Sequence, residues 1–215
     1  MARCCTAFSN VAGDQFGAGV ASRDAASYRK RGPDKATRLM RDAVLGTSAD
    51  RGSLLDIGGG IGALSLELTA AGVHHATVVD ASESYLSAAR EEAARLDRAD
   101  RLRLVAGDFV ELAATLPVVD IVAMNRVICC YPQFDSLLAA ALEHSGRVFA
   151  FSYPKDRWYI RAVTELGNKI RALTGRAFRT FVHDESRMRA LIEARGFRCE
   201  TRRDTLVWQI EVWTR

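Results

Sequence analysis

The ten residues Leu54-Leu55-Asp56-Ile57-Gly58-Gly59-Gly60-Ile61-Gly62-Ala63 constrain this chain more than any other stretch. An apolar run ends in an acid, a glycine turn follows, and a helix begins. Gly58, Gly60 and Gly62 alternate where a tight turn needs positive φ and a close ligand needs the space a Cβ would fill. A strand feeding such a loop into a helix is the nucleotide-binding device of doubly wound α/β proteins. Two ligand classes satisfy the string. Gly58-x-Gly60-x-x-Ala63 also meets the dinucleotide fingerprint, so NAD or FAD competes with other nucleosides at this point.

The rest of the chain repeats the strand and helix alternation. Strands are expected over residues 53–56, 75–80, 101–106, 118–124 and 147–152, with helices over 62–71, 82–96, 109–116 and 135–143. Ser82 is placed to cap its helix, with Glu83 in the first turn. Apolar runs of this length between helices indicate a parallel sheet covered on both faces. Before them, Ala36, Leu39, Met40, Ala43 and Val44 recur at helical spacing over 34–45, with Pro33 as a first helical residue. Residues 1–33 lack periodicity, and Gly13, Gly17 and Gly19 argue against a helix there. They are expected to form an irregular or partly helical arm that caps the active site. Residues 34–215 then form one domain, with a basic, aromatic-bearing insertion over 155–181. A helix over 184–194 is followed by strands over 197–203 and 206–213. The turn at Asp204-Thr205 is short enough to make only an antiparallel hairpin. The expected fold is therefore a three-layer α/β sandwich with a doubly wound seven-stranded sheet. A dinucleotide fold ends in a parallel crossover, so this ending disfavours NAD.

Composition narrows the class further. No apolar run reaches membrane-spanning length, and no apolar leader follows Met1-Ala2-Arg3, which points to the cytoplasm. The five cysteines, Cys4, Cys5, Cys129, Cys130 and Cys199, read as thiols rather than a disulfide framework. No metal site is expected, because Cys-x-x-Cys spacing is absent; the alternative is a thiolate site made by Cys4-Cys5 meeting Cys129-Cys130. Arginine outnumbers lysine by 26 to 4 within a net charge of +4. Residues 23–41 and 155–179 each hold seven basic side chains against two acids. If the two segments meet in space, they suggest an anionic partner.

Asp56-x-Gly58-x-Gly60-x-Gly62 after a strand, Asp80 closing the next strand, and the terminal hairpin together resemble the class I S-adenosylmethionine-dependent methyltransferases. The resemblance implies a Rossmann-like fold, methyl transfer from S-adenosylmethionine, and S-adenosylhomocysteine as product. By the same resemblance Asp56 and the loop at Gly58, Gly60 and Gly62 meet the methionine moiety. Asp80, with Ala81 and Ser82 after it, meets the ribose. Asp108 and Phe109 hold the adenine, and Asn125 faces the sulfonium. A closer resemblance covers residues 28–41, 53–154 and 180–198. Tyr28, Thr37-Arg38, Val127-Ile128-Cys129-Cys130-Tyr131-Pro132-Gln133 and His183 look like the magnesium-protoporphyrin O-methyltransferases. That family implicates an arm phenol and a histidine before Tyr-Pro at the acceptor site. Tyr28 matches the first, whereas Cys130 stands where the histidine is expected.

A carboxylate acceptor, ionised at neutral pH, needs no strong base, so Cys130 is compatible with ester formation. A hydroxyl acceptor would need one, and His183 is then the candidate. Tyr131, Trp158 or Tyr159 is suited to pack a flat body. The expected substrate is an anionic or aromatic small molecule, most simply a tetrapyrrole propionate. Natural-product O- or N-methylation, nucleic-acid methylation or binding, and non-catalytic cofactor binding remain alternatives. Met124-Asn125-Arg126-Val127 lacks the Asn-Pro-Pro-aromatic loop of base methylation, which argues against nucleic acid. Oligomeric state is not legible.

Overall fold

A computed structural model describes Val11 and residues 15–49 and 52–215. Cys4 and Cys5, and with them the paired-thiolate alternative, lie outside the described residues. The strands are β1 Ser53–Ile57, β2 His75–Asp80, β3 Leu102–Ala106, β4 Val119–Asn125, β5 Ser145–Pro154, β6 Arg198–Asp204 and β7 Trp208–Thr214. They form one sheet in the order β3-β2-β1-β4-β5-β7-β6. β1 to β5 are mutually parallel, and β7 runs antiparallel between β5 and β6. From β1 the chain moves outward to β2 and β3, then returns to β4 on the other side of β1. That reversal opens a crevice at the carboxyl ends of β1 and β4.

Burial on both faces explains why the strands are continuously apolar. In β5, Val148 and Ala150 join one core with Ile121, Ile210 and Val212, while Phe149 and Phe151 join the other with Met124 and Trp213. The first core is closed by α2 Lys35–Leu45 and α3 Ala63–Ala70; the second by α6 Phe134–His144 and α8 Glu185–Glu193. Between these helices run α4 Glu83–Arg95, α5 Phe109–Leu112 and, after β5, α7 Trp158–Leu173. Short polar side chains set the starts: Asp34, Ser82, Asp108 and Asp184 each accept a backbone N–H of the helix they precede. Pro33 therefore lies one residue outside the cap rather than at the first helical position. No described helix is long and apolar enough to cross a membrane.

The arm is partly helical, with a regular helix, α1 Ala18–Arg31, despite its glycines. Gly17 takes the N-cap position in an extended conformation, Gly19 meets nothing within 4 Å, and Gly32 ends the helix at φ 70°. The fully buried stripe is only Ala21 and Ala25, four residues apart and packed near Ile61 and Ala88. Most of the insertion is the helix α7, whose one buried residue is Ile160. The hairpin loop is 205–207 rather than the expected Asp204-Thr205. Thr205 closes it by donating its N–H to the Trp208 carbonyl and accepting the Trp208 N–H on its hydroxyl.

Candidate active site

The glycine loop leaves β1 with Gly58, Gly60 and Gly62 all at positive φ, between 58° and 73°. Gly58 shows why: a Cβ there would lie 2.6 Å from a methyl of Val127. The loop is tied to β2 by three of its N–H groups, the longest bond being Gly59 N–H to the Val79 carbonyl at 3.4 Å. Gly58 N–H reaches the Val79 carbonyl at 2.7 Å, and Gly60 N–H reaches Asp80 Oδ2 at 2.8 Å. The other Asp80 oxygen accepts the Ser82 N–H at 2.8 Å. Burial pushes the Asp80 pKa up, and these two backbone bonds oppose it.

Asp56 is buried to 1% exposure, accepts the Ser65 hydroxyl at 2.7 Å on Oδ2, and leaves Oδ1 with no hydrogen-bond partner among the described residues. Burial lifts its pKa to about 7; the Ser65 bond opposes the rise and the nearby Asp80 charge adds to it. An orphaned, partly protonated carboxyl of this kind is completed by a cation. It lines a cavity of about 200 Å³ together with Gly58, Gly59, Gly60 and Tyr28.

A larger cleft of about 380 Å³ opens over the ends of β2, β3 and β4. Asp80, Ala81, Asp108 and Phe109 form one wall, and Asn125, Cys130 and Tyr131 the next. Asp108 is engaged on both oxygens: one accepts the Val110 N–H at 2.9 Å, the other the Tyr131 hydroxyl at 2.5 Å. Phe109 is 4% exposed and belongs to the core as well as to the cleft. Ser82, by contrast, is an inward-turned cap: its hydroxyl accepts the Tyr85 N–H and donates to the Phe16 carbonyl at 2.7 Å. Asn125 joins three elements, donating to Thr37 at 2.9 Å and accepting the Ser152 hydroxyl at 2.9 Å, and it borders both cavities.

The four candidate catalytic residues are divided. Cys130 and Tyr131 line the larger cleft. Tyr28 lines the smaller cavity, where its hydroxyl donates to Glu67 Oε1 at 3.0 Å, and burial with the Glu67 charge raises its pKa. His183 lines neither: its Nε2 meets the Ile128 carbonyl at 3.0 Å behind the 128–130 turn, with the ring 4.6 Å from Phe134. Burial lowers its pKa, favouring neutral imidazole. Cys130 Sγ lies 3.8 Å from Cys129 Sγ; that contact, burial and the Asp80 charge push the Cys130 thiol well up.

Two residues not singled out from sequence complete the cleft. Arg126 sits at φ 65°, borders both cavities, and pairs with Asp34 at 2.8 Å. Arg171 reaches in from α7, held by Asn168 at 3.1 Å and packed over Phe178. Of the basic side chains in the two segments, only Arg171 lines the larger cleft. Arg29, Arg41 and Arg161 are instead paired with Glu92, Glu67 and Asp156. The arm closes the cleft through Gln15, Phe16 and Asp24, with Phe16 edge-on to Phe178 at 5.2 Å.

Comparison with known proteins follows the same division. Residues 54–148 match a methyltransferase domain family. A ubiquinone/menaquinone biosynthesis C-methyltransferase from Roseobacter denitrificans is 41% identical over 86 residues, 39% of this chain and 33% of that protein. The chain thus spans about a third of the length of that curated relative. Among solved structures, magnesium protoporphyrin IX methyltransferase from Synechocystis PCC 6803 with bound S-adenosylhomocysteine superposes with a TM-score of 0.72. Identity is 19%, over 96% of this chain and 99% of that one. An O-methyltransferase family 2 protein from Planctomyces limnophilus in complex with apigenin gives 0.61 at 16% identity, over 86% and 62%. These likenesses are likenesses of fold.

Proposed function

We propose that this chain is a class I S-adenosylmethionine-dependent methyltransferase and that it methylates a carboxylate oxygen of an anionic small molecule. A tetrapyrrole propionate is the acceptor we favour. The cofactor is S-adenosylmethionine, which when bound supplies an electrophilic methyl group on a sulfonium. Asp56 is suited to its ammonium, because Oδ1 is buried and lacks a partner among the described residues. Asp80 is suited to the ribose, since its two backbone bonds fix the carboxylate at the cleft wall. Phe109 offers an apolar face for the base. Asp108 needs to share its oxygens with Tyr131 to reach the exocyclic amine.

The observation that carries the acceptor reading is Arg171. It is a guanidinium in the cleft wall whose hydrogen-bond partners, Asn168 and Thr180, are neutral, and it has no carboxylate partner among the described residues. An acceptor carboxylate would fill that role with a charge-assisted bond. The groups available for proton removal support the same reading. Tyr131 donates its proton to Asp108, Cys130 is held as a thiol, and His183 is turned away behind the 128–130 turn. A carboxylate with a pKa of about 4 to 5 needs none of them. Arg171 orients it, and the aromatic walls exclude water. Tyr28, bonded to Glu67, acts as an anchor for the arm beside the smaller cavity.

The two cavities together are the size that one drug-sized ligand fills. A tetrapyrrole therefore enters once Phe16 and Phe178 part, with the arm segment from Gln15 to Asp24 acting as a cap. Absorbance titration of the S-adenosylhomocysteine-loaded protein with a propionate-bearing porphyrin tests this. A spectral shift is expected that the fully esterified porphyrin fails to give. Equal binding of both porphyrins overturns the carboxylate contact.

A further inference from the structure

α7 turns the polar side of its surface inward. Asn168 accepts the Thr180 N–H and donates to the Thr180 carbonyl, and Arg171 lines the cleft. Tyr159, Val163, Leu166, Ile170 and Leu173 recur every three or four residues, the spacing of a core-facing stripe. Yet they are 40%, 70%, 59%, 52% and 88% exposed, and Trp158 at the helix start is 81% exposed. The hairpin loop extends this surface: Leu206 is exposed, and the Val207 carbonyl accepts the Lys155 N–H just before the helix. Nothing among the described residues covers the stripe.

Contiguous apolar surface of this kind marks a docking face, and charge identifies what it fits. From Lys155 to Arg179 there are seven cations against Asp156 and Glu165. Lys155 and Arg161 are paired with Asp204 and Asp156 and Arg171 faces the cleft, which leaves Arg157, Lys169, Arg176 and Arg179. Arg157, Lys169 and Arg176 are exposed around the stripe. A second copy on a two-fold axis would set the same cations against themselves, which argues against self-association through this face. A layer that is negative at its surface and apolar beneath matches both features. We infer that α7 docks this protein on an anionic lipid surface, lying in the interface with the Tyr159 to Leu173 stripe toward the acyl chains. A sixteen-residue helix is about 24 Å long and carries too many charges on its other faces to span a bilayer. Trp158 sits at one end, where an indole suits the headgroup level. The docked helix is also a wall of the cleft, through Arg171.

Co-sedimentation with phosphatidylcholine vesicles, with and without phosphatidylglycerol, tests the assignment. Binding is expected with the anionic vesicles and at least tenfold weaker on phosphatidylcholine alone. Leu166→Glu with Ile170→Glu should lower it at least tenfold while leaving melting temperature and S-adenosylhomocysteine affinity unchanged. Arg157→Ala and Lys169→Ala should each cost about fivefold, and only on anionic vesicles. Brominated acyl chains should quench tryptophan fluorescence in the wild type and much less in Trp158→Phe. The assignment is overturned if the wild type stays in the supernatant with anionic vesicles, or if the Leu166/Ile170 variant binds as well as wild type. It is equally overturned if the face proves to hold a dimer that this variant dissociates.

Discussion

The two sides of the crevice are built by different means. On the β1 and β2 side, backbone holds the site: three positive-φ glycines, a strand-end carboxylate accepting two backbone N–H groups, and an acid buried to 1% exposure. On the other side, side chains meet across long sequence separations: Tyr131 with Asp108, Phe16 with Phe178, Arg126 with Asp34. Backbone geometry leaves little freedom for substitution, whereas edge contacts between aromatic rings contribute only modestly and are readily rearranged. A rigid cofactor half and an adjustable acceptor half let one fold serve many acceptors.

The sharpest way to break this contrast is at Asp80. Asp80→Ala removes both backbone tethers and the proposed ribose contact, so calorimetry should show S-adenosylhomocysteine binding weakened by about 100-fold or more. A small change would mean that the ribose lies elsewhere. Next in size is Arg171→Ala, expected to raise the acceptor KM by about 30-fold, the value of one charge-assisted bond, with cofactor affinity unchanged. Loss of cofactor binding in that variant would erase the division between the halves.

Asp56 sharpens the comparison through pH. Its pKa of about 7 in the ligand-free fold lies above the ordinary carboxylate value. The folded state therefore holds its proton more tightly than the unfolded chain, and this group's contribution to stability falls as pH rises from about 4 to 7. Binding of an ammonium runs the opposite way. Affinity for S-adenosylhomocysteine should rise about tenfold between pH 6 and 8 and level off above, and Asp56→Asn should flatten the profile. The smallest effect is expected at Phe178→Ala. Losing one edge contact with Phe16 should cost about threefold to tenfold in acceptor affinity, read as KM with kcat nearly unchanged.

The same contrast explains what sequence could reveal. β2 was expected over 75–80 and is found there; Ser82 caps its helix as its side chain and position predict. Such features depend on residues close in sequence and on the few conformations glycine or a capping oxygen permits. The bond from Tyr131 to Asp108 joins residues 23 apart and leaves no local trace. Arg171 was hidden for a different reason. The Tyr159 to Leu173 spacing is that of a buried stripe, which would have turned Arg171 outward, whereas the structure exposes the stripe and brings Arg171 in. The bounds of α1 were not legible because its packing rests on two alanines and a half-buried Tyr28. Arg126 shows a third case: its positive φ is fixed by the Ser152 hydroxyl accepting its N–H at 2.8 Å and by Asp34, neither adjacent to it.

The central claim, that methyl passes from S-adenosylmethionine to a carboxylate, is tested most directly by the alkali lability of the product. The protein is incubated with methyl-tritiated S-adenosylmethionine and small-molecule extract or porphyrin carboxylates, and the labelled product is treated with mild base. An ester releases its label as volatile methanol, and that release is the predicted result. Label that survives alkali on the acceptor, as an ether, an amine or a carbon-bound methyl, would contradict the account.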